Sequence, residues 1–130
     1  MFDNNVFIKD SCRNVEENGR TTGYELQTLI TYYRGIPLSM LEYVKISADG
    51  TEEDPENIQV SLDRIDWFTL KEAETVTDYK WEYGDPMYIR VMKDGGLPAG
   101  KHRVRLTVAT RTAYIPVPLE GIRERDVVIS

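Results

Sequence analysis

Arg103-Val104-Arg105-Leu106-Thr107-Val108 alternates polar and apolar side chains without a break. A period of two puts Val104, Leu106 and Val108 on one side and Arg103, Arg105 and Thr107 on the other, the pattern of a half-buried β-strand. The strand is expected to start after Gly100 and to run toward Ile115, where Pro116 and Pro118 either end pairing or confine it to a sheet edge. Beyond them, Val127-Val128-Ile129 reads as a short closing strand. Upstream, Met87, Ile89 and Val91 alternate in the same way and stop at Asp94-Gly95-Gly96. Ile58, Val60 and Leu62 form another alternating run, with Ile65-Asp66-Trp67-Phe68 as the return arm of a hairpin. Val44, Ile46 and Ala48 lead into the turn signal Asp49-Gly50. Tyr24, Leu26, Thr28, Ile30 and Tyr32 alternate with Glu25, Gln27, Leu29, Thr31 and Tyr33 in a long strand. Strands at such short intervals, separated by Gly/Asp turns, predict an all-β antiparallel sandwich. Helix is expected for one or two turns at most, at Thr69–Glu74, where Thr69 and Glu72 have capping-box spacing.

The chain has 130 residues and reads as a single domain over 1–130, with no linker, repeat or low-complexity tract. That length buries a core without disulfides. The net charge is -6, and the segment from Gly50 to Glu56 reads as an acidic surface loop. Such a charge is a poor match for a phosphate backbone or an anionic membrane, so neither is expected as a partner. Arg103, Arg105, Arg111, Arg123 and Arg125 read as a solvated strand face. One cysteine, Cys12, rules out an internal disulfide, and one histidine, His102, leaves too few ligands for a structural zinc site. No apolar h-region follows Met1 and no run is long enough to span a bilayer, so the expected location is the cytoplasm.

Constellations for independent chemistry are scarce. His102 has no flanking nucleophile motif. Asp63/Asp66, Glu72/Glu74 and Glu82/Asp85 are carboxylate pairs of the kind any acidic protein carries. No catalytic residue, metal ligand or cofactor is therefore expected in this chain. Two connectors are unusually apolar for loops: Tyr32-Tyr33-Arg34-Gly35-Ile36-Pro37-Leu38-Ser39-Met40 and Thr112-Ala113-Tyr114-Ile115-Pro116-Val117-Pro118-Leu119. Tyr, Arg and Met are enriched at protein interfaces, which makes Tyr33, Arg34, Ile36, Pro37, Met40, Tyr114, Pro116 and Pro118 candidate partner contacts. In a third stretch, Tyr79, Trp81 and Tyr83 alternate and are candidates for stacking on a sugar or aglycone ring. Loop packing and core packing are the competing readings of all three stretches.

Arg13-Asn14-Val15, the string Tyr32 to Met40, Glu74-Thr75-Val76-Thr77-Asp78 with Trp81-Glu82-Tyr83-Gly84, Gly95-Gly96-Leu97-x-x-Gly100-x-His102-x-Val104-x-Leu106, and Tyr114-x-Pro116-Val117-Pro118-Leu119 occur in this order. Together they resemble the small β subunit of bacterial C-glycoside deglycosidases over almost the whole chain. The resemblance implies a β-sandwich that binds a larger α subunit similar to TIM-barrel sugar isomerases. It implies a divalent metal, usually manganese, in that α subunit and none here. The implied reaction is cleavage of the carbon–carbon bond between sugar and aromatic aglycone in a 3-keto C-glucoside. A sugar-binding sandwich without catalysis is the alternative, and a homo-oligomeric structural domain a third reading.

Overall fold

The computed structural model describes residues 3–31, 35–112 and 115–129, the last segment with its side chains from 117 onward. Eleven strands and one short helix follow one another along the chain. They are β1 (Arg13–Glu17), β2 (Arg20–Thr28), β3 (Ile36–Pro37), β4 (Leu41–Ala48), β5 (Thr51–Glu52), β6 (Ile58–Ser61) and β7 (Phe68–Thr69), then helix α1 (Leu70–Ala73). After the helix come β8 (Lys80–Trp81), β9 (Met87–Met92), β10 (Gly100–Thr112) and β11 (Ile115–Ile129). One sheet has the order β1-β2-β9-β6-β7, a second β11-β10-β4-β5, and β3 pairs with β8. Every strand pair is antiparallel.

Alternation builds the core. Tyr24 and Leu26 of β2, Ile89 and Val91 of β9, and Ile58 and Val60 of β6 join one buried cluster with Val44 and Ile46 of β4 and Val104, Leu106 and Val108 of β10. The two large sheets thus share a single apolar layer, the all-β arrangement expected from the pattern. Two tight hairpins use the residue types that tolerate positive φ. Asn18 and Gly19 (φ 54° and 77°) join β1 to β2, and Asp49 and Gly50 (φ 52° and 84°) join β4 to β5. The helix is one turn, capped reciprocally: Thr69 Oγ1 accepts from the Glu72 amide while Glu72 Oε1 accepts from the Thr69 amide.

Three expectations need correction. The long strand ends at Thr28 rather than Tyr33, because the N-terminal segment takes over its backbone partners: the Ile8 amide donates to the Gln27 carbonyl and the Leu29 amide to the Asn5 carbonyl. The closing strand spans Ile115–Ile129 rather than 127–129, passing through both prolines at the edge of its sheet. The acidic loop is not wholly solvated, since Glu53 accepts a 2.6 Å hydrogen bond from the Tyr24 hydroxyl. The β1–β2 hairpin has no counterpart among the expected strands.

Candidate functional site

Each apolar connector is tied to residues that flank the other, although the two lie far apart in sequence. Thr31 Oγ1 donates to the Leu119 carbonyl at 3.1 Å, and the Thr110 hydroxyl, 2.9 Å away, supplies the proton that Thr31 accepts. Arg111 reaches across from β10, its Nη2 donating to the Ser39 carbonyl at 3.1 Å and its Nε 3.1 Å from Glu42. The third unusual stretch joins them. The Leu38 and Ser39 amides donate to the carbonyls of Tyr79 and Val76, and Ile36 pairs with Trp81. Gly35 is required by this approach, since a Cβ there would lie 3.0 Å from the Trp81 carbonyl oxygen and 2.9 Å from a Glu82 carboxylate oxygen. One end of the sandwich is therefore built from Thr31 and residues 35–40, 76–82, 110–112 and 117–119 together.

Individual side chains sort differently from the sequence reading. Ile36 is buried and Met40 packs half-buried against the core, so both serve this chain's own interior; Pro37 is half-buried. Pro118 is exposed, and beside it Val117 is 61% exposed. Tyr33, Arg34 and Tyr114 lie outside the described residues, as does the Pro116 side chain. The aromatic row does not form a platform. Trp81 is 1% exposed, with its indole N–H donating to the Asp85 carbonyl. Tyr79 is half-buried, tilted on Phe68 with centroids 5.5 Å apart, and donates its hydroxyl to Asp66. Only Tyr83, 60% exposed, presents its ring to solvent. The strand β8 is too short to sustain the alternation that would align the three.

His102 is a structural clamp. Its Nδ1 lies 2.7 Å from Asp49 and its Nε2 2.7 Å from the Pro98 carbonyl, which can only accept. Both partners favour the imidazolium and raise the pKa, the Asp49 hydrogen bond most. A ring with both nitrogens engaged holds the β4–β5 turn against the start of β10. Cys12 is similarly unreactive: burial, helped by the Glu25 carboxylate, pushes its thiol up to about 12. Among the described residues no three His, Cys, Asp or Glu side chains converge in a geometry that could hold a metal ion.

A second constellation was invisible in the sequence. Glu25 sits on the outer face of the five-stranded sheet, yet is only 1% exposed. Strand pairing places Arg13 of β1 and Arg90 of β9 on either side of it. Arg13 and Arg64 reach its Oε1 at 3.2 and 2.9 Å, and Arg90 its Oε2 at 3.4 Å. Burial alone would push the Glu25 carboxyl up, but Arg64, with Arg13 and Arg90, outweighs it and holds the group below its ordinary value. Arg90 also stacks on Trp67, with its guanidinium carbon 4.1 Å from the ring centroid, and Arg64 lies 4.9 Å over Tyr88. Arg64 has a left-handed backbone, φ 64°, fixed by local hydrogen bonds: the Arg64 amide donates to Ser61 Oγ, and the Ile65 and Asp66 amides donate to Asp63 Oδ1. Nothing in the spacing of residues 13, 25, 64 and 90 announces this contact, because it depends on strand register and on the return of one loop.

Comparison with known proteins places this architecture. The profile of a family described as C-glycoside deglycosidase beta subunit matches residues 2–114. A 3'-dehydrocarminate deglycosidase beta subunit from Microbacterium sp. is 31% identical over 117 residues, covering 90% of this chain and 83% of that protein. A C-glycoside deglycosidase beta subunit from Eubacterium cellulosolvens is 26% identical over 105 residues, covering 80% of this chain and 71% of that protein. The family match runs from β1 through β10 and ends before β11, and on that basis, with the 31% identical relative, the chain belongs to the family of C-glycoside deglycosidase beta subunits.

Proposed function

We propose that this chain is the small, non-catalytic subunit of a heteromeric C-glycoside deglycosidase, which it supports by docking a larger α subunit through the end of the sandwich where Thr31 and residues 35–40, 76–82, 110–112 and 117–119 meet. The observation that carries the docking site is that convergence, with Val117, Pro118 and Tyr83 exposed at or beside it. Tyr33, Arg34 and Tyr114 extend the same stretches and are part of the proposed contact. The reading is supported by the beta-subunit names of both relatives. It is also supported by the state of His102, whose ring nitrogens are both engaged within this chain.

In this reading the complex is a carbon–carbon lyase acting in the cytoplasm on a 3-keto C-glucoside. A carbonyl at C3 of the sugar acidifies the C2 proton. A base removes that proton, and the electrons returning from the enolate expel the aglycone carbon, which is protonated as it leaves. The α subunit, TIM-barrel-like, would supply the base and hold the divalent metal, manganese by family resemblance, as an electrophile for the enolate. The small subunit's contribution is to complete and stabilise the larger one.

Co-expression with the larger subunit followed by size-exclusion chromatography and a 3-keto C-glucoside cleavage assay tests this. The wild-type chain should co-elute and restore turnover, while Val117→Asp and Tyr83→Asp should lose both with unchanged circular dichroism of the free chain. Full turnover by the isolated small chain would overturn the assignment. So would co-elution and turnover unaffected by both variants.

A further inference from the structure

The arginine cluster on the outer face of the five-stranded sheet has no part in the proposed docking end. Arg13, Arg64 and Arg90 line an open groove of about 400 Å³ together with Glu16, Glu17 and Glu25. We propose that this groove is a binding site for a monoanionic carboxylate, held by the Arg13 and Arg64 guanidiniums in front of a fixed Arg90.

Donor capacity is the first argument. Glu25 receives Nε and Nη2 of Arg13, Nη2 of Arg64 and Nη2 of Arg90, and Glu17 receives Nη1 of Arg90. Each guanidinium carries five N–H groups in a planar fork. Nη1 of Arg13 and Nε and Nη1 of Arg64 therefore remain for a further acceptor, and Arg90 Nε is buried without a partner among the described residues. Preorganisation is the second. Glu25 is a buried counter-ion that allows three like charges to converge, Trp67 and Tyr88 fix two of the planes, and the Ser61/Asp63 hydrogen bonds fix the backbone of Arg64. A fork already held in place loses little freedom on binding. The third is selectivity. A carboxylate has two oxygens, one to accept from Arg13 Nη1 and one from the free N–H groups of Arg64, and a charge opposite to both guanidiniums. Glu16 and Glu17 in the lining oppose a second negative charge, which disfavours phosphate and sulfate dianions. The carboxylate can belong to a free organic acid or to an Asp or Glu side chain of a partner subunit.

Titration of the full chain with sodium benzoate, against sodium chloride at equal ionic strength, tests the site. The readouts are the arginine Nε–H resonances and the Trp67 indole N–H. Saturable shifts confined to Arg13, Arg64, Arg90 and Trp67 are expected. Arg64→Gln and Arg13→Gln should each weaken binding roughly tenfold, as loss of a charge-assisted hydrogen bond does, while Arg105→Gln on the opposite sheet leaves it unchanged. Repeating the titration with the larger subunit bound separates the two sources. Loss of benzoate binding assigns the carboxylate to the partner, and retention assigns it to a free acid. No saturable response, an equal response in Arg64→Gln, or tighter binding of phosphate than of benzoate would each overturn the proposal. None of these outcomes depends on whether the docking end has been identified correctly.

Discussion

Glu25 and His102 respond to pH in opposite directions. Glu25 has a folded pKa held below the ordinary carboxyl value by its arginines, so its contribution is present above that value and is lost as pH falls through the folded one. Glu25→Ala leaves three guanidiniums without their shared acceptor. Two of them can turn toward water, so the expected cost is about 3 kcal/mol at neutral pH, measurable as a lower urea midpoint at unchanged m. Glu25→Gln should flatten the acid limb of stability. His102 acts on the other limb. Its folded pKa is raised above the ordinary 6.5, so the clamp is complete below that value and fails as pH rises through the folded one. Asp49 is held below its ordinary 3.8 by the same contact, first by the His102 hydrogen bond, so the pair is intact between those two values. The difference in melting temperature between pH 6 and pH 8.5 should shrink in His102→Gln; an unchanged difference would remove the clamp. Sequence proximity separates what could be read at this scale from what could not. The Thr69/Glu72 box is local and legible, whereas Arg13 and Arg90 are 12 and 65 residues from Glu25 and meet it only through register.

At the scale of elements, alternation identified β4, β6, β9 and β10 because one face of each is apolar and buried; the other face stays at least partly open in β4 and β9, whereas β10 is buried on both faces over Leu106–Thr110. Alternation failed for β11, for a physical reason. The Ile122 amide donates to Asp3 and not to β10, which shows that the even-numbered N–H groups of β11 point away from its neighbour. Leu119 pairs with Thr110 and Ile115 with Thr112, so Pro116 and Pro118 fall in the register shift between those two pairs, where a missing N–H removes no ladder bond. Of the two readings of these prolines, the end of pairing or an edge position, the edge is the one observed, and there they blunt the strand against pairing with other chains. The switch of the chain from β2 toward the opposite sheet at Thr31 depends on contacts with Thr110 and Leu119, which no local pattern reveals. The β2–β9 pairing has one vulnerable residue. A Cβ on Gly23 would lie 2.0 Å from the backbone oxygen of Val91, a contact no rotamer change can relieve. Gly23→Ala should therefore push the strands apart and destabilise the fold by about 3 kcal/mol, within the upper range for single substitutions. Thr69→Ala, which removes one half of the cap, should cost about 1 kcal/mol. Equal midpoints for the two variants in urea would contradict the close approach.

The whole molecule joins two sheets over one core and leaves an apolar, proline-braced end with Val117 and Pro118 exposed. A net charge of -6 sets copies of the chain against one another, and that repulsion opposes self-association through such an end only while the end is small. Binding of a partner to the folded form alone must raise apparent stability by mass action. At a free partner concentration 100 times the dissociation constant the gain is about 2.7 kcal/mol, which for a domain of this size is roughly 10 °C in melting temperature. The gain should grow by a fixed increment with each further tenfold excess of the larger subunit. Val117→Asp should abolish the increment while leaving the melting temperature of the free chain nearly unchanged, because that side chain already faces water. Glu25→Ala should do the reverse, lowering the free chain's midpoint and preserving the increment, if the docking end and the arginine groove are separate surfaces. A partner-induced rise lost equally in both variants would mean that the larger subunit spans the two.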